Sequence, residues 1–129
     1  MRYRRDKKFI FQFFNFQQSV APSAPPENIY ISSIKTHTQL TIHWSPPPPD
    51  KIHGDLLSYK IKVFPIKSGA DVYIDPKVDV YDLHPSLNSL TLKFLDANTF
   101  YDFEIMAVNQ FGEGVSEKIV GSEYIFPTH

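Results

Sequence analysis

The chain contains no cysteine, so neither disulfide cross-links nor thiolate-ligated zinc can hold it together, and packing must. A cross-link-free domain of this size is stable in reducing and oxidising surroundings alike, which leaves the compartment open. Glycine is scarce, with five residues in 129, and none falls in a loop of the kind that cradles phosphates. No apolar run approaches the roughly 20 residues of a membrane-spanning helix. Charge of one sign is also missing: thirteen Lys and Arg against fourteen Asp and Glu leave a net charge of -1, which offers no general field for nucleic acid. Asn15, Asn28, Asn88, Asn98 and Asn109 all lack a hydroxyl residue two positions on, so no N-glycosylation acceptor exists.

What is present is a composition that can build a core. Hydrophobic residues make up 42% of the chain and aromatics 15%, enough apolar surface to offset the entropy of ordering one domain, in a chain too short for two ordinary ones. Eleven prolines punctuate it into short segments.

Residues 1–8 hold five basic residues against Asp6, whereas the remainder carries an acidic excess of five. Behind this basic run comes a short apolar stretch, the order of a secretory signal. Gln12 and Asn15 interrupt that stretch, and Pro22 follows the one cleavage-like site, Ser19-Val20-Ala21. Residues 1–21 therefore read as an N-terminal extension, weakly signal-like, and as upstream sequence or a gene-model artefact more readily than as a working leader. The basic run with its phenylalanines could also meet nucleic acid or an anionic membrane surface; a solvated tail is the plainer reading.

From Ala21 the pattern becomes regular. Prolines in 21–27, APSAPPE, forbid helix and make a linker. ENIYISSI then alternates, with Ile29 and Ile31 on one face and Asn28, Tyr30 and Ser32 on the other. TQLTIHW places Leu40, Ile42 and Trp44 at period two, until Pro46 to Pro49 stop the strand and Gly54 supplies a turn residue free to take positive φ. Tyr59, Ile61 and Val63 alternate with Ser58, Lys60 and Lys62, an apolar side backed by a lysine-bearing one. Between Gly69 and Pro85 the pattern loosens into an edge strand and a crossing loop. SLTLKFL and TFYDFEIMAVN restore it, the latter with Tyr101, Phe103, Ile105 and Ala107 in the longest clean alternation. A glycine-bearing hairpin turn at Asn109–Gly114 leads to a last strand in VSEKIVGSEYI.

Six or seven short strands, turns every 8 to 12 residues or so and no 3.6-residue period predict an all-β sandwich. The predicted core comprises Ile29, Ile31, Leu40, Ile42, Trp44, Tyr59, Ile61, Val63, Leu90, Leu92, Leu95, Tyr101, Phe103, Ile105 and Ala107.

The block Leu95-Asp96-Ala97-Asn98-Thr99-Phe100-Tyr101, continued by Phe103, Ile105, Ala107, Val108, Asn109 and Gly112, resembles the fibronectin type III family, whose pattern there reads L-x-P-x-T-x-Y-x-[IVF]-x-V-x-A-x-N-x-x-G. Ala97 departs from the usual proline. Trp44 resembles the family's core tryptophan, and Gly54, Leu56 and Tyr59 its G-x-[IL]-x-x-Y entry to the third strand. The likeness runs over residues 22–122, leaving 123–129 as a C-terminal linker. It implies a seven-stranded antiparallel immunoglobulin-like β-sandwich, with Tyr101 as a tyrosine corner, its hydroxyl bonded back to upstream backbone.

No nucleophile elbow or acid-base pair stands in a recognisable setting, so no catalytic residue and no cofactor is expected. The five histidines, at 37, 43, 53, 84 and 129, show no metal-ligand spacing. Asp71, Asp75, Asp79 and Asp82 lack the glycine and terminal glutamate of a calcium loop, and read as an edge strand guarded by charge. The resemblance implies a non-catalytic spacer or protein-binding module among tandem neighbours, similar to the repeats of neural adhesion receptors and receptor tyrosine phosphatases. Its partners would be other proteins, and its place extracellular or at the cell surface; a cytoplasmic module of the muscle type is the alternative. The expected binding surface is the hairpin Gln110, Phe111 and Glu113, because loops on a rigid scaffold carry recognition and an aromatic tip is a natural anchor.

Overall fold

Side chains that alternate apolar and polar can bury one row only if the backbone is extended and a second row faces it. The computed structural model, which describes residues 20–34, 39–68, 71–72, 77–93, 95–96 and 99–120, satisfies that requirement with two antiparallel sheets. Strands β1 (Glu27–Ile34), β2 (Gln39–Ser45) and β6 (Ser89–Leu92) form the first, in the order β1-β2-β6. The second runs β9-β7-β3-β5, from β9 (Glu117–Ile119), β7 (Thr99–Asn109), β3 (Ser58–Ser68) and β5 (Asp79–Leu83). Two two-residue ladders, β4 (Asp71–Val72) on β3 and β8 (Gly112–Glu113) on β7, complete it. Among the described residues the strands of three residues or more number seven, which is the expected sandwich.

The longest ladder joins β3 to β7, from Ser58↔Val108 to Ser68↔Thr99, with one irregularity between Pro65 and Lys67. It sets Tyr59, Ile61 and Val63 beside Ala107, Ile105 and Phe103 on the inner face. Opposite lie Leu40, Ile42 and Trp44 of β2, with Leu92 facing Leu40 and Leu90 facing Ile42 across the first sheet. Eleven of the predicted core residues are buried outright, while Ile29, Ile31, Leu90 and Leu95 are partly buried against them. Trp44 and Tyr59 meet edge to face at 5.4 Å. Burial raises the Tyr59 phenol above its ordinary pKa, an effect the nearby indole N–H partly offsets; that N–H makes no hydrogen bond of ordinary geometry with the described groups. The Tyr101 hydroxyl accepts a 2.8 Å hydrogen bond from the backbone N–H of Asp96, five residues upstream, so the tyrosine corner is present.

Local chemistry explains the irregular points. Asn28, at φ 52, kinks β1 where its register against β2 shifts, a bulge that blunts an edge strand. Pro46–Pro49 end β2 and lead into a 3₁₀ turn at Pro49–Lys51, since proline cannot donate to a ladder. The last strand is shorter in the described residues than the expected VSEKIVGSEYI, whose residues beyond Val120 lie outside them, as do Ala97, Asp75, His37, His129 and the segments 1–19 and 121–129.

If the core is this interlock, Ile61→Ala should cost about 2–5 kcal/mol, because Ile61 is wholly buried and its loss leaves a cavity. Val80→Ala, at a half-exposed position on the edge strand β5, should cost under about 0.5 kcal/mol. Urea unfolding measures both; similar losses would mean that the two faces had been assigned wrongly.

Candidate functional site

The inner row of β7 does not stop at Ala107. Two positions on, at the same parity, comes Asn109, only 2% exposed. A polar side chain so buried must find partners, and this one finds them in three separate segments. Its amide nitrogen donates to the carbonyls of Val20 and Ile52, both at 2.9 Å, and reaches that of His53 at 3.3 Å. Its Oδ1 accepts from the backbone N–H of Phe111 at 2.8 Å. The N-terminal linker, the loop between β2 and β3, and the hairpin between β7 and β8 thus share one buried amide. In sequence its inward parity marks it only as an interruption of a mostly apolar row, and the partners appear in the geometry alone.

Gln110 and Phe111 form the two-residue turn of that hairpin, and Gly112, at φ 132, allows the reversal. Phe111 is 49% exposed at the tip. The Gln110 side-chain amide lies over Gly54, so close that a Cβ there would come within 2.7 Å of it; Gly54 also has φ 141, so two constraints favour glycine. Glu113 turns instead onto the outer face of the second sheet. Lys60 donates to its Oε2 at 2.6 Å, Lys62 stands 3.8 Å from its Oε1, and Asp82 lies 3.8 Å from Lys60. The three expected binding residues are therefore contiguous in the hairpin but differ in presentation: Phe111 is offered outward, Gln110 rests on the neighbouring loop, and Glu113 is engaged by lysines.

The linker is held as firmly as the hairpin. Ser23 N–H donates to the Lys51 carbonyl at 2.9 Å, Val115 N–H to the Pro22 carbonyl at 3.1 Å, and Ser23 Oγ lies 2.8 Å from His53 Nε2. His43 and His84 are occupied elsewhere, the first stacked on Tyr30 at 4.3 Å and 3.1 Å from Ser32 Oγ, the second 2.7 Å from Ser86 Oγ. Among the described residues no three His, Cys, Asp or Glu side chains converge as a metal would require. No described helix is long and apolar enough to cross a membrane.

Comparison with known proteins agrees with this architecture. The model of the fibronectin type III domain matches residues 24–122. Over 99 residues the chain is 33% identical to Neural cell adhesion molecule L1 of Takifugu rubripes, the match covering 76% of this chain and 7% of that protein. It is 34% identical over 99 residues to Protein sidekick-2 of Mus musculus, covering 77% of this chain and 4% of that protein. The chain thus spans less than a tenth of the length of these curated relatives. Its fold is similar to the solution structure of the third fibronectin III domain of the human KIAA0343 protein, with a TM-score of 0.70 at 21% identity over 86% of this chain and 87% of that one.

Asn109→Ala should cost about 1–3 kcal/mol, since it removes a buried amide that joins part-buried carbonyls of two segments; thermal unfolding followed by circular dichroism checks this, and a loss within error would refute the shared-amide reading. The hydrogen bond from Lys60, with its charge and that of Lys62, holds the Glu113 carboxyl below the usual carboxylate range, and the same bond raises the Lys60 ammonium. A depressed acid stabilises above its unfolded pKa and stops doing so as pH falls through the folded value; a raised base stabilises below its unfolded pKa and stops as pH rises through the folded one. A double-mutant cycle of Lys60→Met with Glu113→Gln should therefore give about 0.2–1 kcal/mol of coupling at neutral pH, fading in acid and again in strong alkali. Constant coupling across that range would count against an ion pair.

Proposed function

Because the chain belongs to the fibronectin type III domain family, we propose that it is a non-catalytic module of a longer cell-adhesion or receptor-like protein, acting as spacer and protein-binding unit at the cell surface. The observation that carries this reading is the hairpin: Phe111 stands half-exposed at its tip, while Asn109 fixes its base to two other segments. An aromatic presented on a preorganised loop loses little entropy on docking, which is what an interaction anchor needs. Relatives that carry a domain of this kind include proteins named as cell adhesion molecules, which supports the surface setting. Gln110 and Glu113 flank the anchor as polar neighbours, Glu113 through the lysine pair that orients it.

A second reading, an intracellular structural module of the muscle type, fits the missing cysteines and N-glycosylation acceptors equally well. Labelling intact cells with a membrane-impermeant amine reagent separates the two: exposed Lys118 and Lys77 react in a surface module and stay unlabelled in an internal one.

Phe111→Ala in the parent protein should weaken binding to its partner by about tenfold or more, the loss of a central aromatic anchor, with no change in the unfolding temperature. Full binding by the variant would move the interaction surface away from the hairpin.

A further inference from the structure

The two sheets present outer faces of opposite kinds. On the second, Lys60, Lys62 and Lys118 meet Asp82, Glu104 and Glu113 in ion pairs. On the first, the ladders set Tyr30 beside His43 and His43 beside Ser89, and in the next row Ser32 beside Thr41 and Thr41 beside Thr91. The intervening residues Ile31, Leu40, Ile42, Leu90 and Leu92 pack on the core, so alternation turns these six outward. Counting histidine as neutral, none of the six carries a charge. Glu27, paired with Ser45 at one end, and Lys93, just past β6 at the other, bracket the grid. Strand spacing gives it a span of about 10 Å by 7 Å, the footprint of a disaccharide.

The grid is also preorganised. The His43 imidazole stacks on the Tyr30 ring, the centroids 4.3 Å apart and the planes 5° from parallel, and its Nε2 lies 3.1 Å from Ser32 Oγ. Tyr30 is 59% exposed, so the ring face turned away from the imidazole meets solvent. Thr41 and Thr91 join Oγ1 to Oγ1 at 2.9 Å, a bond that uses one of their two protons and leaves the pair able both to donate and to accept. A charged ligand would find its charge unmatched on this grid, and an apolar one would strand the hydroxyls. What fits is an uncharged polyol with one face of C–H groups. Those weakly positive hydrogens lie against the negative face of an aromatic ring, while the hydroxyls at the edge exchange hydrogen bonds with serine and threonine.

We propose that this face of the first sheet is a binding site for a neutral oligosaccharide, with Tyr30, backed by His43, as the stacking platform and Ser32, Thr41 and Thr91 as the hydrogen-bonding row. It lies on the other sheet from the hairpin and does not depend on the reading of Phe111.

Amide chemical shifts of this chain, titrated with lactose, cellobiose and chitobiose, test the site. At least one of these sugars should shift Tyr30, Ser32, Thr41, His43 and Thr91, saturating in the millimolar range, and leave Lys60, Lys62 and Lys118 in place. Tyr30→Ala should weaken that binding about fivefold to tenfold and Thr91→Val about threefold, whereas Tyr30→Phe, which keeps the ring, should stay within about twofold. Both positions are exposed, and unchanged shifts in the core verify that the variants fold. An undiminished response in Tyr30→Ala, silence with all three sugars at tens of millimolar, or a stronger response to an anionic heparin disaccharide overturns the site. Shifts of the same amides with protein concentration alone would assign the face to a second copy of the chain and overturn it as well.

Discussion

The ladder between β3 and β7 is the constraint on which the molecule turns. Its register sends Tyr59, Ile61 and Val63 inward with Phe103, Ile105 and Ala107, and by the same geometry sends Lys60 and Lys62 outward beside Met106 and Glu104. The inner row can be covered only by a second sheet, which β1, β2 and β6 provide. The outer row becomes a lattice of ion pairs: Lys60 with Glu113 and Asp82, Lys62 with Glu113, and Lys118 with Glu104. Each exposed pair contributes little; Lys60 and Lys62 are the two that meet the Glu113 carboxylate. Slipping the ladder by one residue would invert both faces at once.

The same ladder reaches the hairpin end. Asn109 is the last inward position of β7, so the buried amide that gathers linker, loop and hairpin is an extension of the core rather than a separate device. The conformation of the hairpin is thereby coupled to the stability of the sandwich, a scaffold carrying its loops as one rigid piece. Edge protection follows a similar economy. The first sheet blunts β1 with the bulge at Asn28, and the second exposes Asp79 and Asp82 on β5 and Lys118 on β9, which discourages pairing with other chains.

Much of this was legible in the residues. Alternation located β2, β3 and β7 and their buried rows, because period two has a single structural meaning when one face is apolar. The stretch after Gly69 was harder: its β-branched residues suit an edge strand, and β5 is one, yet Val80 is half exposed, so no buried row marked its register. Met106 escaped notice because its parity is outward; Lys60 directly opposite, drawn toward Glu113 across the same stretch, leaves it only 3% exposed. The burial of Thr99 and Asn109 was hidden for a related reason, since polar residues on an inner row look like interruptions until their partners are known. In the hairpin, sequence grouped Gln110, Phe111 and Glu113 as neighbours, whereas only geometry tells an outward ring from an amide resting on Gly54 and a carboxylate paired with lysine. Such pairings join residues tens of positions apart, and no local pattern encodes them.

The chain's one tryptophan reports on the facing rows without any substitution. Trp44 is 3% exposed between β2 and the Tyr59 ring, in contact with both halves of the interlock. Its fluorescence, titrated with acrylamide in native buffer, is the direct measurement. Burial between the sheets predicts a blue-shifted emission that resists quenching until the cooperative unfolding transition. Emission and quenching like those of free indole in native buffer would contradict the two-sheet core and every structural assignment built upon it.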